Sequence, residues 1–117
     1  MGVDVVCYDL NPGATLLTNG WHGEDLYTEV CVKDCAEAAA LYPDRTLLLS
    51  WPPHGQDAGA RTLTSYAGHR VIYIGDGRDT ADSQMHGILD AEWVEVDARQ
   101  PVQWWGIDDR VGVYERA

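Results

Sequence analysis

The stretch TLLLSWPPH at residues 46–54 decides the predicted fold. A short apolar run without polar alternation is typical of a strand that is buried on both faces of a parallel sheet. Pro52 and Pro53 end this strand, because proline offers no backbone N–H to a sheet ladder. We therefore predict a strand over residues 46–50 and a stiff loop directly after it.

Apolar segments on both sides of this stretch extend the pattern. Between them we predict a helix over 36–41 capped by Asp34, a helix over 58–67, and a helix over 80–89 capped by Asp79 or Thr80. Strands that alternate with helices predict an α/β fold, with one mostly parallel sheet of about six strands and helices on both faces. The five further predicted strands are 3–8, 27–32, 70–74, 93–97 and 110–114.

Length and charge limit the possible functions. The 117 residues suffice for one domain, 1–117, with a single core. Hydrophobic residues at 45% and charged residues at 23% exclude a disordered chain. The net charge of −11 repels phosphate backbones and anionic lipid surfaces, so we expect neither a nucleic acid nor a membrane as partner.

The amino-terminal residues and the cysteines indicate the cellular compartment. The chain begins MGVDVV, without the basic flank and long apolar run of a signal peptide or membrane span. We therefore expect a cytoplasmic protein. The three cysteines lack the spacing of a zinc site, and we predict no metal site.

Several polar residues follow the predicted strands directly. Ligands of parallel α/β sheets bind beyond the carboxyl ends of the strands. Asp9, Asp34, residues 50–54 and residues 75–79 all stand at such ends. We therefore predict a small-molecule site at this end of the sheet.

The loop after the strand at 46–50 holds the candidate catalytic residues. His54 is the predicted proton carrier, because imidazole gains and loses protons near neutral pH. Ser50 is the second catalytic candidate. Trp51 offers a flat apolar wall, and Pro52 and Pro53 hold the loop with little loss of entropy. The other predicted substrate-binding residues are His22, Asp76 and Trp105.

Three of these segments resemble class I SAM-dependent methyltransferases. VDVVCYD at 3–9 resembles the second strand of that family, KDC at 33–35 the acidic turn after its third strand, and LLLSWPPH at 47–54 its fourth strand and Asn/Asp-Pro-Pro-aromatic loop. VIYIG at 71–75 and WGIDDR at 105–110 extend the resemblance to nearly the whole chain. The resemblance implies a Rossmann-like fold, with Asp9, Asp34 and Cys35 contacting the cofactor.

The chain also departs from that family. The first strand and its glycine-rich loop are missing, and this strand would lie in the middle of the sheet. Its neighbours cannot leave their backbone groups unpaired, so either they close up on each other or another chain supplies the gap. Ser50 and Trp51 stand where the family has Asn or Asp, and His54 replaces the stacking aromatic residue.

Some of these residues also have a purely structural interpretation. Asp9 either binds ribose hydroxyls, as the resemblance implies, or organises a turn with the following Asn-Pro-Gly. Asp34 either caps a helix or contacts adenine. Trp104 and Trp105 are adjacent in a loop and cannot both enter one core, so we expect one of them to cover the pocket or to meet a partner.

Two classes of function fit these observations best. The first is a reduced methyltransferase-fold protein that needs no cofactor and binds a small molecule at the carboxyl ends of the strands. It either only binds this molecule or catalyses an acid–base conversion of it, such as cyclisation or isomerisation. The second is a SAM-dependent methyltransferase, or its carboxyl-terminal part, acting on a small molecule. A non-catalytic remnant that binds another protein is the third possibility. Open sheet edges also predict a homodimer.

Overall fold

The computed structural model describes residues 2–10, 28–77 and 79–117. Within these ranges it contains helices and strands close to the positions that the sequence predicts. In chain order they are β1 (Cys7–Asp9), β2 (Val30–Val32), α1 (Cys35–Leu41), β3 (Leu47–Ser50), α2 (Ala58–Ser65), β4 (Arg70–Gly75), α3 (Ser83–Glu92), β5 (Trp93–Arg99) and β6 (Arg110–Arg116).

The strands form two sheets, so the predicted Rossmann-like sheet of about six mostly parallel strands is wrong. β1 and β2 pair in parallel as a separate two-stranded sheet. The other four strands have the order β3-β4-β6-β5. β3 and β4 are parallel, whereas β6 runs antiparallel to both β4 and β5.

The direction of β6 explains much of this difference. Residues 100–109 join β5 to β6 without a helix, so the chain turns back instead of crossing over the sheet. A parallel connection needs a crossover of a dozen or more residues, usually with a helix. β6 then enters between β4 and β5. The apolar pattern of a strand records its burial and carries no information on its direction.

The three helices lie against one face of the four-stranded sheet, so the expectation of helices on both faces is also wrong for the described residues. Ala39 of α1, Leu63 of α2 and Met85 of α3 join Val71 and Tyr73 of β4 in one buried cluster. Alternate residues of the strands point the other way. On that opposite face Leu48 is 51% exposed and Val94 is 52% exposed.

Local capping chemistry determines where two helices begin. The carboxylate of Asp34 accepts hydrogen bonds from Ala36 N at 3.1 Å and Glu37 N at 3.4 Å, which confirms the predicted cap of α1. The predicted caps of the third helix are wrong. Asp82 caps α3 instead, and its Oδ1 accepts a hydrogen bond from Met85 N at 2.9 Å.

β1 is shorter than predicted and begins later. Its register with β2 runs from Cys7 opposite Val30 to Asp9 opposite Val32. Residues before Cys7 have no strand partner among the described residues, and Val3 is 80% exposed. The length of this strand is therefore set by its short partner and not by its own apolar run.

α2 and α3 approach each other closely at a glycine. A Cβ atom added to Gly59 would overlap the sulfur of Met85, which is fully buried. Gly87, in contrast, lies on the exposed side of α3, and an added Cβ would meet nothing within 4 Å. The two helical glycines therefore have opposite roles.

Alanine substitutions at these glycines should move stability in opposite directions. Gly87→Ala should raise the free energy of unfolding by about 0.5–1 kcal/mol, because alanine has the higher helix propensity. Gly59→Ala should lower it by about 1–3 kcal/mol, because the added methyl group overpacks the core. Urea denaturation of both variants and the wild type measures this. Equal stabilisation by both substitutions would contradict the packing of α2 on α3.

Candidate functional site

Three loops meet at the carboxyl end of the four-stranded sheet. The loop after β3 and the loop after β4 exchange two backbone hydrogen bonds, since Ala81 N donates to Pro52 O at 2.8 Å and Gly55 N donates to Ala81 O at 3.0 Å. The loop between β5 and β6 joins them, because Asp108 N donates to the Asp76 carboxylate at 2.9 Å. The loops form one continuous surface.

Asp76 is the buried anchor of this surface. It is 2% exposed, and its backbone oxygen accepts hydrogen bonds from Thr80 N at 2.9 Å and Thr80 Oγ1 at 2.7 Å. Its carboxylate holds the loop between β5 and β6 through Asp108. The predicted role of Asp76 in substrate binding stays a prediction, while its bonds give it a definite structural role.

The predicted catalytic loop lies beside this anchor but faces solvent. Trp51 has a left-handed backbone with φ of 48°, its N–H donates to Ile74 O at 2.8 Å, and its side chain is 41% exposed. Pro52 is buried. Ser50, Pro53 and His54 are all exposed. No hydrogen bond in the described part of the chain joins Ser50 to His54, so the structure does not form a nucleophile–base pair from them.

The residues that the methyltransferase resemblance assigns to the cofactor lie at the end of the smaller sheet. Asp34 caps α1 and forms a salt bridge to Arg61 at 2.9 Å. The hydrogen bond from Arg61 lowers the pKa of this carboxyl. The thiol of Cys35 donates to Ala58 O at 3.6 Å. Asp9, the last residue of β1, is exposed.

The remaining predicted substrate-binding residues are His22 and Trp105. His22 lies outside the described residues. Trp105 is 99% exposed at the tip of the loop between β5 and β6, and Trp104 is 79% exposed. A turn closes this tip, with Ile107 N donating to Trp104 O at 3.1 Å and Gly106 adopting a φ of 78°. The expectation that one of the two tryptophans covers a pocket or meets a partner stays open.

A cavity that the sequence did not reveal opens beneath the loops, between α3 and the sheet. Its volume is about 140 Å³. Glycines on neighbouring strands make this space, because a Cβ at Gly75 would lie 2.9 Å from the Tyr73 hydroxyl and one at Gly112 would lie 2.6 Å from the Tyr114 ring. The lining residues are Tyr73, Gly75, Gly77, His86, Arg110, Gly112 and Tyr114.

Hydrogen bonds orient one wall of this cavity. The hydroxyl of Tyr73 bonds to Oγ1 of Thr80, which itself bonds to the backbone oxygen of Asp76. The His86 ring meets the Tyr73 ring edge-on, with the centroids 5.9 Å apart. His86 Nε2 also lies 3.3 Å from Thr80 O. A phenol and an imidazole are thus held against each other by the turn after β4.

Arg110, which also lines the cavity, is paired with a carboxylate outside the lining. Arg110 of β6 donates two hydrogen bonds to the Glu95 carboxylate of β5. Arg110 lowers the pKa of Glu95, and Glu95 in turn raises the pKa of Arg110. Burial raises the pKa of Tyr114, with Glu95 adding to the effect. The cavity therefore offers neutral phenols and a guanidinium whose charge is already balanced.

A second, more open depression of about 400 Å³ shares Arg110 with the cavity. Asp109 lines it, and Asp109 Oδ1 is buried with no hydrogen-bond partner among the described residues. The other lining residues are Ala98, Arg99, Gln100, Gln103 and Asp108. Polar groups thus continue from the cavity toward the loop that carries Trp104 and Trp105.

The described residues contain no group of three or more His, Cys, Asp or Glu side chains that is placed to hold a metal ion. None of their helices is long and apolar enough to cross a membrane. Comparison with models of protein families, with curated proteins and with solved structures finds no match to this chain. Its function must therefore be inferred from its own side chains and their geometry.

The cavity residues escaped the sequence-based prediction because strand pairing brings them together. Tyr73 and Gly112 are direct register partners, as are Glu95 and Tyr114. Because side chains alternate along a strand, the sequence indicates which residues of one strand share a face. The antiparallel direction of β6 between β4 and β5, which determines their partners on neighbouring strands, was not predicted. His86 follows Asp82 by one helical turn, and the register of α3 turns it toward Tyr73.

The raised pKa values of the cavity phenols predict a loss of stability at alkaline pH. Burial is the main cause that raises the pKa of Tyr73 and Tyr114 above the 10.0 of a free tyrosine. The unfolded chain therefore releases these protons first. This contribution to stability is complete below pH 10 and is lost as the pH rises through the folded pKa values.

Urea denaturation between pH 8 and pH 11.5 measures this loss. The double variant Tyr73→Phe/Tyr114→Phe should show a shallower fall in the free energy of unfolding than the wild type. Parallel curves for the two proteins would contradict the burial of these phenols.

Proposed function

We propose that this chain binds a small carbonyl compound in the cavity beneath α3 and moves a proton on it without SAM. The convergence of Tyr73, His86, Arg110 and Tyr114 on one cavity carries this proposal. It keeps the predicted class of function, a reduced relative of class I methyltransferases that performs an isomerisation or cyclisation. It moves the reacting groups from the exposed loop after β3 to the cavity.

The charges of the cavity favour a neutral ligand. Neutral phenols donate hydrogen bonds, so Tyr73 and Tyr114 suit an acceptor oxygen such as that of a carbonyl group. Glu95 already balances the guanidinium of Arg110, so an added carboxylate would lack a free cation there. The net charge of −11 also disfavours anionic ligands. Asp109 Oδ1 would accept a hydrogen bond from a hydroxyl or N–H group elsewhere on the ligand.

The proposed reaction relocates one proton. His86 removes a proton from the carbon beside the carbonyl group, while a phenol of the cavity donates a hydrogen bond to the carbonyl oxygen as negative charge develops there. Return of the proton to a different atom completes an isomerisation. No electrons are gained or lost overall, so the reaction requires no redox cofactor. Tyr73 positions His86 through their edge-on ring contact.

The proposal places this activity in the cytoplasm. Cys7, Cys31 and Cys35 are all free thiols, which fits a reducing compartment.

The histidine that carries the proton can be identified with a simple ketone. Solvent deuterium exchange at the α-carbons of cyclohexanone, followed by ¹H NMR, reports proton removal without knowledge of the natural substrate. His86→Ala should slow the protein-catalysed exchange by about 10²–10⁴-fold. His54→Ala is the matched control and should leave the rate unchanged, because His54 is exposed on the loop after β3.

The protein should accelerate the exchange of pyruvate, an anionic ketone, over its uncatalysed rate less than it accelerates the exchange of cyclohexanone. Loss of exchange in His54→Ala alone would restore the original prediction that His54 is the proton carrier. Equal rates with and without the protein would refute proton transfer on simple ketones.

A second candidate function is methyl transfer. Asp9, Asp34 and Cys35 lie together at the carboxyl end of the smaller sheet, where the resemblance to methyltransferases assigns the cofactor. In this alternative, another chain supplies the missing strand and the glycine-rich loop. The separation of β1 from β3 favours it, because the two strands have not closed up on each other.

Titration with SAM tests whether this chain retains a cofactor site of its own. The isolated chain lacks the glycine-rich loop, so we expect it to bind SAM with a Kd no tighter than about 1 mM, or about −4 kcal/mol. Isothermal titration calorimetry with SAM and with its demethylated product measures this. Micromolar binding of either compound would favour methyl transfer over the cofactor-free reaction.

A further inference from the structure

The outer edge of β1 has no hydrogen-bonded neighbour among the described strands. β1 pairs only with β2 in that part of the chain. Along an extended strand, the N–H and C=O of one residue point to the same side, and the side alternates with each residue. Lys33 N donates to Asp9 O at 3.2 Å, so Asp9 faces β2. The backbone N–H and C=O of Tyr8 therefore face away from β2.

β3 presents a second open edge. Within the described residues it pairs only with β4. Trp51 N donates to Ile74 O at 2.8 Å, so Trp51 and Leu49 direct their backbone groups to β4. By alternation, Leu48 and Ser50 direct theirs away from β4. β3 also lacks the lysine, proline or bulge with which proteins commonly protect an edge strand.

The amino ends of β1 and β3 lie close to each other. The guanidinium of Arg45, two residues before β3, forms an ion pair at 3.0 Å with Asp4, three residues before β1. The hydroxyls of Tyr8 and Tyr42 are hydrogen-bonded at 2.8 Å, which links β1 to the end of α1. Long side chains thus bridge the two strands without a backbone hydrogen bond between them.

The carboxyl ends of the two sheets are also connected. Asp34, just after β2, forms a salt bridge to Arg61 of α2. Cys35 at the start of α1 donates a hydrogen bond to Ala58 at the start of α2. Contacts at both ends mean that β1 and β3 run in the same direction. α1 leads from the end of β2 to the start of β3, and so passes over the space between β1 and β3 on one face.

We propose that the space between β1 and β3, called here the strand slot, accepts an extended segment of a different protein as an added strand. A strand in this position would bond to Tyr8 on one side and to Leu48 and Ser50 on the other, and it would join the two sheets. The slot lies apart from the cavity beneath α3 and does not depend on the function proposed for that cavity. In the second candidate function, methyl transfer, the same slot would hold the strand that another chain supplies. Strand addition of this kind is a common mode of peptide recognition.

The residues around the slot define the chemistry of the partner. Leu48 is 51% exposed and Val6 is 39% exposed, so apolar side chains on the added strand would gain contacts there. The net charge of −11 disfavours acidic segments. The partner segment is therefore apolar at alternate positions and neutral or basic overall.

A synthetic strand provides the probe. The peptide acetyl-Lys-Val-Thr-Val-Leu-Val-Lys-amide has the required pattern, and the same peptide with alternate amides N-methylated is the matched control. In the free chain the amides of Tyr8, Leu48 and Ser50 should exchange quickly with solvent by NMR. Saturating peptide should slow them by about tenfold or more, whereas the N-methylated peptide should not.

Two variants at Leu48 separate backbone pairing from side-chain contact. The N–H that Leu48→Pro removes faces the slot and not β4, so β3 should still pair with β4 while peptide binding is lost. Leu48→Ala also loses the leucine side chain but keeps the N–H. The peptide should therefore still slow the amide exchange of Tyr8 and Ser50 in this variant. Backbone amide signals of β4 confirm that both variants are folded.

Three results would overturn the proposal. The first is slow exchange at Tyr8, Leu48 and Ser50 in the dilute free chain, which would mean that the slot is already closed. The second is exchange at these amides that becomes slow when the protein is concentrated without peptide, because a second copy of the chain would then occupy the slot. The third is that the peptide does not slow exchange at Tyr8, Leu48 and Ser50. Slower exchange in β5 alone would count as this result.

Discussion

The position of β6 between β4 and β5 is the constraint on which the candidate site depends. β6 bonds to a neighbour on each side, and its antiparallel direction places Gly112 beside Tyr73 and Tyr114 beside Glu95. Its first residue, Arg110, thereby reaches the carboxyl end of the sheet. A parallel β6 would place these residues in a different register, and the cavity beneath α3 would lose one of its walls.

The sequence predicted the elements of the fold better than their arrangement. Apolar runs and caps are local signals, so the positions of the strands and the Asp34 cap of α1 could be predicted. Pairing is not local: nothing in the run of β1 shows that β2 is its only described neighbour, and nothing in β6 shows its direction. The cap of α3 was missed because Thr80 bonds to the turn at Asp76 and leaves Asp82 to begin the helix.

The sequence and the structure both favour a site at the carboxyl end of the sheet, but they point to different side chains there. The topological rule that ligands bind at the carboxyl ends of strands requires only strand positions, and it led to the turn at Asp76. Identifying Tyr73, His86 and Arg110 required the register of two strands and the rotation of one helix. Exposure further distinguishes His54 on its loop from the half-buried His86, and exposure depends on packing that no short motif records.

The two hydrogen bonds between the loops after β3 and β4 have a consequence for how this protein can evolve. Pro52 and Gly55 each bond to Ala81, so the two loops must keep matching lengths and shapes. An insertion in either loop would break both bonds unless the other loop changed with it. The loop between β5 and β6 is bonded to this pair at the carboxylate of Asp76, and the tip of that loop is exposed to solvent. New ligand preferences would therefore arise most readily by lengthening or shortening that third loop.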